Sequence, residues 1–256
     1  MNINFNNLNC KVCNRKNYMI KYIEKHEIWG EVMNTYNDII EEMKKELGSR
    51  GHDIDHIIRV YKLAVNIAEQ EQNNYNIDMD ILKLAAILHD IGRKKEDEDN
   101  TGKIDHAKIG ADMAERLLKD KGYAQDKINK VKSCISRHRY RGNDLPTKIE
   151  EKILFDADKL DSLGAIGVGR CFMVSSQFNQ RIYNGTAADE YIRTNTYGNM
   201  RLKDPSIHAP NLEYELKMKN IKDRLFTDAA KTIADERDKF MMEFFNRMKD
   251  EINGIK

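Results

Sequence analysis

Four polar side chains stand out because they lie in or beside segments whose other residues are suited to burial: His56, His89, Asp90 and Asp158. Residues 80–91 form the most apolar segment of the chain, and the His-Asp pair lies at its end. Asp158 lies in a second apolar segment, residues 153–161, and His56 lies one turn into a helix that we expect to begin at Asp53. Buried polar groups without partners cost free energy, and a shared cation would satisfy all four.

Two neutral imidazole nitrogens and two carboxylates form a mixed set that suits a borderline or hard divalent ion, with water in the remaining positions. Such an ion lowers the pKa of a bound water and acts as a Lewis acid on a phosphoryl oxygen. No Ser or Cys nucleophile is then required, and none stands out. Each residue taken alone also has a structural interpretation, because His56 could cap a helix and a His-Asp pair is common by chance. The spacing by itself leaves both interpretations open.

The elements that must position these side chains are predicted to be helices. Only three prolines occur, and long proline-free segments carry apolar residues every three or four positions. We expect helices at residues 19–47, 53–72, 80–91, 105–121, 126–140, 147–163, 164–178 and 212–248. Residues 179–211 lose this periodicity and contain two glycines and two prolines. We expect an irregular loop there, of a length typical of lids and binding loops.

The predicted fold class is all-α, a multi-helix bundle around a buried metal site. The chain of 256 residues is long enough to bury a core. Residues 1–22 are polar and rich in Asn, and we expect a poorly ordered N-terminal extension. Residues 23–256 are expected to form a single helical domain that contains the irregular loop and ends in a long C-terminal helix.

Charge and hydropathy exclude several kinds of partner. With 43 basic and 42 acidic residues the net charge is +1, which does not indicate a general binder of nucleic acid or anionic membranes. No apolar run approaches the roughly 20 residues of a membrane helix or resembles a signal-peptide core. We therefore expect a cytoplasmic protein without a membrane or stable nucleic-acid partner, and a homodimer is left open.

Four cysteines are too few for a disulfide framework in a chain of this length. Cys134 and Cys171 lie among apolar residues, so we expect buried thiols. Cys10 and Cys13 have the spacing of half a zinc site, but the sequence supplies no evident second half.

Three motifs occur in order, at residues 51–60 (GHDIDHIIRV), 85–92 (AAILHDIG) and 155–161 (FDADKLD). Together they resemble the HD-domain phosphohydrolase superfamily, which is defined by an H…HD…D pattern, over roughly residues 25–178. The resemblance implies an HD-type helical domain whose metal ligands are His56, His89, Asp90 and Asp158. It favours Asp158 over Asp156, because the family places this ligand in an Ala-Asp pair that precedes a basic residue and Leu.

The resemblance also implies the cofactor and the activity. The cofactor would be a divalent metal ion, with Mn favoured over Fe, Co, Ni, Zn or Mg. The substrate would be a small phosphorylated molecule, with a nucleotide favoured. Segments 222–224 and 234–237 resemble a bacterial branch of small nucleotide pyrophosphohydrolases, which favours release of pyrophosphate. A nucleoside monophosphatase or a cyclic-nucleotide phosphodiesterase is the alternative.

Two carboxylates are candidates for assisting proton removal, Asp90 and Asp161. Asp161 lies one turn after Asp158 and could also orient a ligand imidazole. Six further residues are predicted to bind the substrate: His106, His138, Arg93, Lys94, Lys159 and Arg137. The two histidines could contact phosphate or bind a second metal ion, and the basic side chains could add charge-assisted hydrogen bonds.

Two other classes of function are consistent with the same residues. One is a metal-dependent hydrolase or hydratase that acts on a substrate without phosphate, since a fold does not fix a function. The other is a regulatory module that keeps the metal for stability. An intact ligand set argues against the regulatory module, because such a module would have no use for open coordination positions.

Overall fold

The computed structural model describes residues 35–46, 53–101, 103–139, 144–197 and 201–256. By its internal contacts the chain divides into two units, Met1–Glu42 and Met43–Lys256. The predicted extension 1–22 and the Cys10–Cys13 pair lie outside the described residues. Residues 35–45 are helical.

The described residues of the second unit form an all-α fold, which confirms the predicted class. Ten α-helices lie within them: α1 (Ile54–Glu71), α2 (Met79–Leu88), α3 (Arg93–Asp97), α4 (His106–Asp120), α5 (Gln125–Arg137), α6 (Ile149–Leu160), α7 (Gly164–Gln177), α8 (Ala188–Asn195), α9 (Pro210–Leu216) and α10 (Asp228–Ile252). Short 3₁₀ turns occur at Pro205–Ile207, Met218–Asn220 and Lys222–Arg224. None of the described helices combines the length and the hydropathy needed to cross a membrane.

Helix α2 lies at the centre of the bundle and packs against α1, α5 and α6. Its residues Ile81, Leu82 and Leu84–Leu88 are all buried, as its apolar composition predicts. Asp78 caps its first turn by accepting hydrogen bonds from the backbone N–H groups of Asp80 and Ile81. The helix ends in the core, so the residues that follow it begin there too.

Helix α1 begins where the sequence predicts. The Asp53 carboxylate accepts a hydrogen bond of 3.0 Å from the backbone N–H of His56, which confirms Asp53 as the N-cap. His56 is fully buried in the first turn, beside Ile57. The cap therefore fixes where the His56 side chain enters the core.

Gly92 is required by a close approach of two backbones. A Cβ atom at Gly92 would lie 2.5 Å from the carbonyl oxygen of His106 and 2.7 Å from the backbone nitrogen of Gly110. Any larger residue would therefore push α4 away from the end of α2. The contact brings the start of α4, and with it His106, next to Asp90.

The structure differs from the prediction of an irregular loop at 179–211. This segment contains α8, a 3₁₀ turn and an isolated antiparallel bridge between Thr196 and Leu202. Side-chain hydrogen bonds order it, since the buried Tyr191 hydroxyl contacts both His208 Nδ1 at 2.9 Å and Asn195 Nδ2 at 2.7 Å. Such long-range polar contacts leave no periodicity in the sequence.

The C-terminal helix begins later than predicted. A continuous helix was expected at 212–248, whereas α9 ends at Leu216 and α10 begins at Asp228. The Thr227 hydroxyl caps α10 by accepting a hydrogen bond from the backbone N–H of Ala230. The predicted buried thiols are confirmed, because Cys134 and Cys171 are both free and buried.

Asp156 anchors the start of α10 to α6. Its carboxylate accepts hydrogen bonds from the backbone N–H groups of Phe226 and Thr227 and from the Thr227 hydroxyl, at 2.7–3.2 Å. Asp156 is fully buried. These contacts engage its carboxylate in a structural role, which supports the preference for Asp158 as the metal ligand.

We expect Asp156→Ala to lower the free energy of unfolding by about 3 kcal/mol, because it leaves several buried donors without an acceptor. Urea denaturation followed by circular dichroism measures this change. The matched control is Asp228→Ala at the exposed start of α10, with an expected loss within about 0.5 kcal/mol. Equal losses in the two variants would contradict the structural role of Asp156.

Candidate metal centre

Three predicted ligands meet at the centre of the bundle. His56 Nε2 lies 3.2 Å from His89 Nε2 and 3.5 Å from Asp158 Oδ1, and His89 Nε2 lies 4.0 Å from the same oxygen. Both histidines are fully buried, and they come from α1 and from the end of α2. We call His56, His89 and Asp158 the first group.

Hydrogen bonds on the opposite side of each ring assign the tautomers of the first group. His56 Nδ1 lies 2.7 Å from Asp161 Oδ2, and His89 Nδ1 lies 2.9 Å from the carbonyl oxygen of Ala86. Because both partners are acceptors, each Nδ1 carries the hydrogen, and a neutral ring then presents a lone pair at Nε2. Two lone pairs and a carboxylate oxygen therefore converge in a buried space, which is the arrangement that a cation stabilises.

A second group consists of Asp90, His106 and His138. Asp90 also faces the first group. Its Oδ2 lies 3.6 Å from His56 Nε2 and 3.7 Å from His89 Nε2. Its Oδ1 lies 3.6 Å from His106 Nε2 and 3.7 Å from His138 Nε2. One buried carboxylate thus faces four imidazoles.

The second group repeats the ring geometry of the first. His106 Nε2 and His138 Nε2 lie 3.2 Å apart. His106 Nδ1 lies 2.6 Å from Glu96 Oε2, and His138 Nδ1 lies 2.6 Å from the carbonyl oxygen of Ile135. The same argument assigns the hydrogen to Nδ1 in both rings, so their Nε2 atoms are also acceptors when the rings are neutral.

Glu96 is one of the contributors that sequence reasoning missed. It lies within a run of charged residues, yet it is half-buried in the short helix α3. It contacts His106, accepts a hydrogen bond from Arg93 at 2.7 Å and forms an ion pair with Arg139 at 3.0 Å. A glutamate within a run of charged residues carries no signal of such a role.

Asp161 lies behind His56, on the side away from the first group. Arg59 donates to it through Nε at 2.7 Å and Nη2 at 3.0 Å, and Arg170 donates through Nη1 at 2.6 Å. Asp161 thus fixes the orientation of His56, as one of its two predicted roles requires. Neither arginine was identified from sequence, although Arg59 shares a helix face with His56 at a spacing of three residues.

The charges in the first group are those that a metal ligand set needs. Burial lowers the pKa of His56, but attraction to Asp161, Asp90 and Asp158 outweighs it and raises the net value. Burial lowers the pKa of His89 to about 4. Burial opposes ionisation of Asp158, yet Lys159 and the imidazoles hold its pKa well below the usual range. The surroundings of His56 favour positive charge at this point, whether as a proton or as a metal ion.

A pocket of about 600 Å³ opens beside the first group and includes Asp158 in its lining. Basic side chains line it: Arg93, Arg139, Lys159 and Arg170, together with His106. The rest of the lining mixes polar side chains, among them Lys217 and Glu213, with apolar ones, among them Val174, Phe178, Met218 and Ile221. Its volume lies within the range of about 300–1,000 Å³ that is typical of small-molecule sites.

The remaining residues that were predicted to bind the substrate differ in whether they line the pocket. Lys159 forms an ion pair with Asp158 and lies in the pocket lining. Arg137 instead donates to Ser133, Glu151 and Asp144 and is not in the lining, so its position does not fit a substrate contact. Lys94 is half-buried on α3 and is also not in the lining.

The donor sets fit a divalent cation, because neutral imidazole nitrogens and carboxylate oxygens converge with their opposite sides hydrogen-bonded. A cluster of this composition next to an open pocket can support hydrolysis, since one side is fixed by protein and the other admits a substrate. The geometry is thus that of a candidate divalent metal site.

Comparison with known proteins agrees with this geometry. The model of the HD domain family matches residues 53–163. YpgQ of Bacillus subtilis is 28% identical over 211 residues, which cover 81% of this chain and 87% of YpgQ.

Solved structures share the fold. The crystal structure of Bacillus subtilis YpgQ in complex with ADP is similar with a TM-score of 0.62 at 25% identity, covering 86% of this chain and 99% of that one. An HD-superfamily hydrolase from Bacillus thuringiensis is similar with a TM-score of 0.58 at 25% identity, covering 90% of this chain and 98% of that one. The matched residues 53–163 also hold the ordered motifs and their buried cluster, so the predicted resemblance to the HD-domain superfamily is confirmed for this segment, and the fold is that of HD-superfamily hydrolases.

Proposed function

We propose that this protein is a metal-dependent phosphohydrolase that cleaves a phosphoanhydride bond of a nucleotide and releases pyrophosphate. The observation that carries the proposal is the row of basic side chains between the first group and the open pocket. Lys159 contacts Asp158, Arg170 contacts Asp161, and Arg139 contacts Glu96, and all three line the pocket. Phosphate groups are the anions that such a set of ammonium and guanidinium donors binds best.

The apolar part of the pocket supports a nucleotide over a simple phosphate. Val174, Phe178, Met218 and Ile221 offer apolar surface in the same pocket, on which a base can pack. The Bacillus subtilis relative of known structure binds ADP. A ligand that combines a polyphosphate with a flat apolar ring matches a lining that contains both basic and apolar side chains.

His56, His89 and Asp158 would hold the ion, with Asp90 as the fourth ligand. When bound, the ion supplies Lewis acidity towards a phosphoryl oxygen and lowers the pKa of a water molecule. Asp90 Oδ2 faces both histidines of the first group, so it is the oxygen placed to accept a proton there. Asp161 is a positioning residue in this scheme, since its oxygens are engaged by His56, Arg59 and Arg170.

Lys159 and Arg170 would bind the phosphate chain, and their charges would offset the negative charge that develops on it. His106 lines the pocket, where an imidazole can contact the same chain, whereas His138 is buried outside the lining with its Nε2 facing Asp90 Oδ1. Manganese is the proposed ion, because a site with two nitrogens and two carboxylates suits a metal that accepts both ligand types.

With Mn²⁺ added, we expect pyrophosphate and a nucleoside monophosphate from at least one nucleoside triphosphate, and no activity after chelation. Product analysis of a panel of triphosphates, monophosphates and cyclic nucleotides measures this directly. Orthophosphate from monophosphates would indicate a monophosphatase, and opening of cyclic nucleotides would indicate a phosphodiesterase. Bound Mn²⁺ with no product from any member would contradict phosphohydrolysis altogether.

The two groups should respond differently to loss of a histidine. We expect His89→Ala to abolish both Mn²⁺ binding and activity, because it removes a ligand of the first group. His138→Ala should keep Mn²⁺ and lower kcat by roughly 10²-fold, because it removes the imidazole that faces Asp90, the proposed proton acceptor. Equilibrium dialysis and steady-state kinetics separate the two effects. Loss of Mn²⁺ in His138→Ala would contradict the single-ion assignment.

Asp161→Asn should raise the dissociation constant for Mn²⁺ about 10–100-fold, because the amide orients His56 less well and no longer balances the two arginines. The matched control is Asp156→Asn, which changes a buried carboxylate of the same segment that faces α10. Its affinity for Mn²⁺ should equal that of the unaltered protein. An unchanged affinity in Asp161→Asn would remove the positioning role.

A further inference from the structure

We infer that the Arg93 guanidinium takes the place of a metal ion in the second group, so that the centre binds one ion instead of two. The inference rests on the proposed metal centre and concerns how that centre limits its own metal content. It also gives Arg93 a role different from the phosphate contact that its sequence position suggests.

Arg93 Nη2 lies where a second ion would need its ligands. It is 2.9 Å from His106 Nε2 and 3.3 Å from Asp90 Oδ1. These are two of the three ligand atoms of the second group. A guanidinium is a donor only, so it can satisfy both acceptors at once.

Further contacts fix the guanidinium in this place. Nη1 donates to Glu96 Oε2 at 2.7 Å, and the same carboxylate contacts His106 Nδ1 at 2.6 Å. Arg139 holds the other oxygen of Glu96 at 3.0 Å. Arg93, Glu96 and His106 therefore form a closed set of hydrogen bonds, in which each member restrains the other two.

The two groups differ in this respect. In the first group the neighbouring cation, Lys159, bonds to Asp158 Oδ2, while Oδ1 is the oxygen that faces the histidines. In the second group the cation bonds directly to the ligand atoms. A guanidinium keeps its charge throughout the pH range of proteins, so it would repel a divalent ion placed beside it.

Arg93 also carries an atom that the protein leaves unsatisfied. Among the described residues, its Nε is the buried side-chain polar atom with no hydrogen-bond partner. A native protein seldom tolerates such an atom without compensation. Placing a permanent positive charge against Asp90 and His106 is the compensation that the geometry offers.

Mn²⁺ stoichiometry tests the inference, measured by equilibrium dialysis of the purified full chain. Mn²⁺ is the probe because the Cys10–Cys13 pair would favour a softer ion such as Zn²⁺. We expect one Mn²⁺ per chain in the unaltered protein and two in Arg93→Met, which keeps a similar length but removes the charge. Adding His106→Ala to Arg93→Met should return the value to one.

Arg139→Met is the matched control, because Arg139 lines the same pocket and contacts the same glutamate, but forms its ion pairs with Glu96 and Asp105. It should retain one Mn²⁺. Arg93→Lys should also retain one, since it preserves a positive charge. Circular dichroism melting curves check that each variant folds before its metal content is compared.

Two results would overturn the inference while leaving the metal centre intact: two Mn²⁺ per chain in the unaltered protein, or one in folded Arg93→Met. No Mn²⁺ in the unaltered protein would overturn the proposed function as well. Anomalous scattering from crystals soaked in Mn²⁺ gives the same answer without any variant. A single peak among His56, His89 and Asp158 supports the inference, and a second peak between His106 and His138 contradicts it.

Discussion

The centre of this protein depends on one constraint: several acceptor atoms face one another where water cannot solvate them. The Nε2 atoms of His56 and His89 lie 3.2 Å apart, and those of His106 and His138 repeat the same distance. Asp90 adds a carboxylate between the pairs. Lone pairs at such distances repel unless a positive charge lies among them. Cations placed among these acceptors therefore stabilise the core.

The surrounding helices can be understood as the means of holding those acceptors in place. The all-apolar α2 carries His89 and Asp90 into the core, and the Asp53 cap sets the depth of His56. Gly92 lets the backbone at the start of α4 approach within contact distance, so that His106 reaches Asp90. Behind the ligands, Asp161 joins His56 to Arg59 and Arg170. Arg170 also lines the pocket, so one residue belongs both to the basic lining and to the network that orients the ligands.

The sequence predicted those parts of this arrangement that depend on residues close together along the chain, and it missed those that depend on contacts across the fold. His56, His89, Asp90 and Asp158 could be selected because motif order and apolar surroundings are local features, and the structure brings these residues together. The all-helical class followed from periodicity in the same way. Arg170 and Glu96 could not be found, because their roles arise from contacts across the fold. Residues 179–211 were predicted to be irregular for a similar reason, since hydrogen bonds between residues far apart in the segment order them, such as those of Tyr191 with His208 and of Asn184 with Asn211. Arg137 was misleading because its neighbours in sequence, His138 and Arg139, do face the centre.

The most direct test of the account is whether Mn²⁺ binds to Asp158→Ala. Binding is monitored through the melting temperature, measured with and without the ion. A ligand that binds only the folded state raises its stability, so the unaltered protein should melt at a higher temperature when Mn²⁺ is present. Asp158→Ala should remain helical and show no such increase, because the first group has lost its carboxylate. An equal increase in both proteins would show that Mn²⁺ binds elsewhere, and it would contradict the metal centre described above.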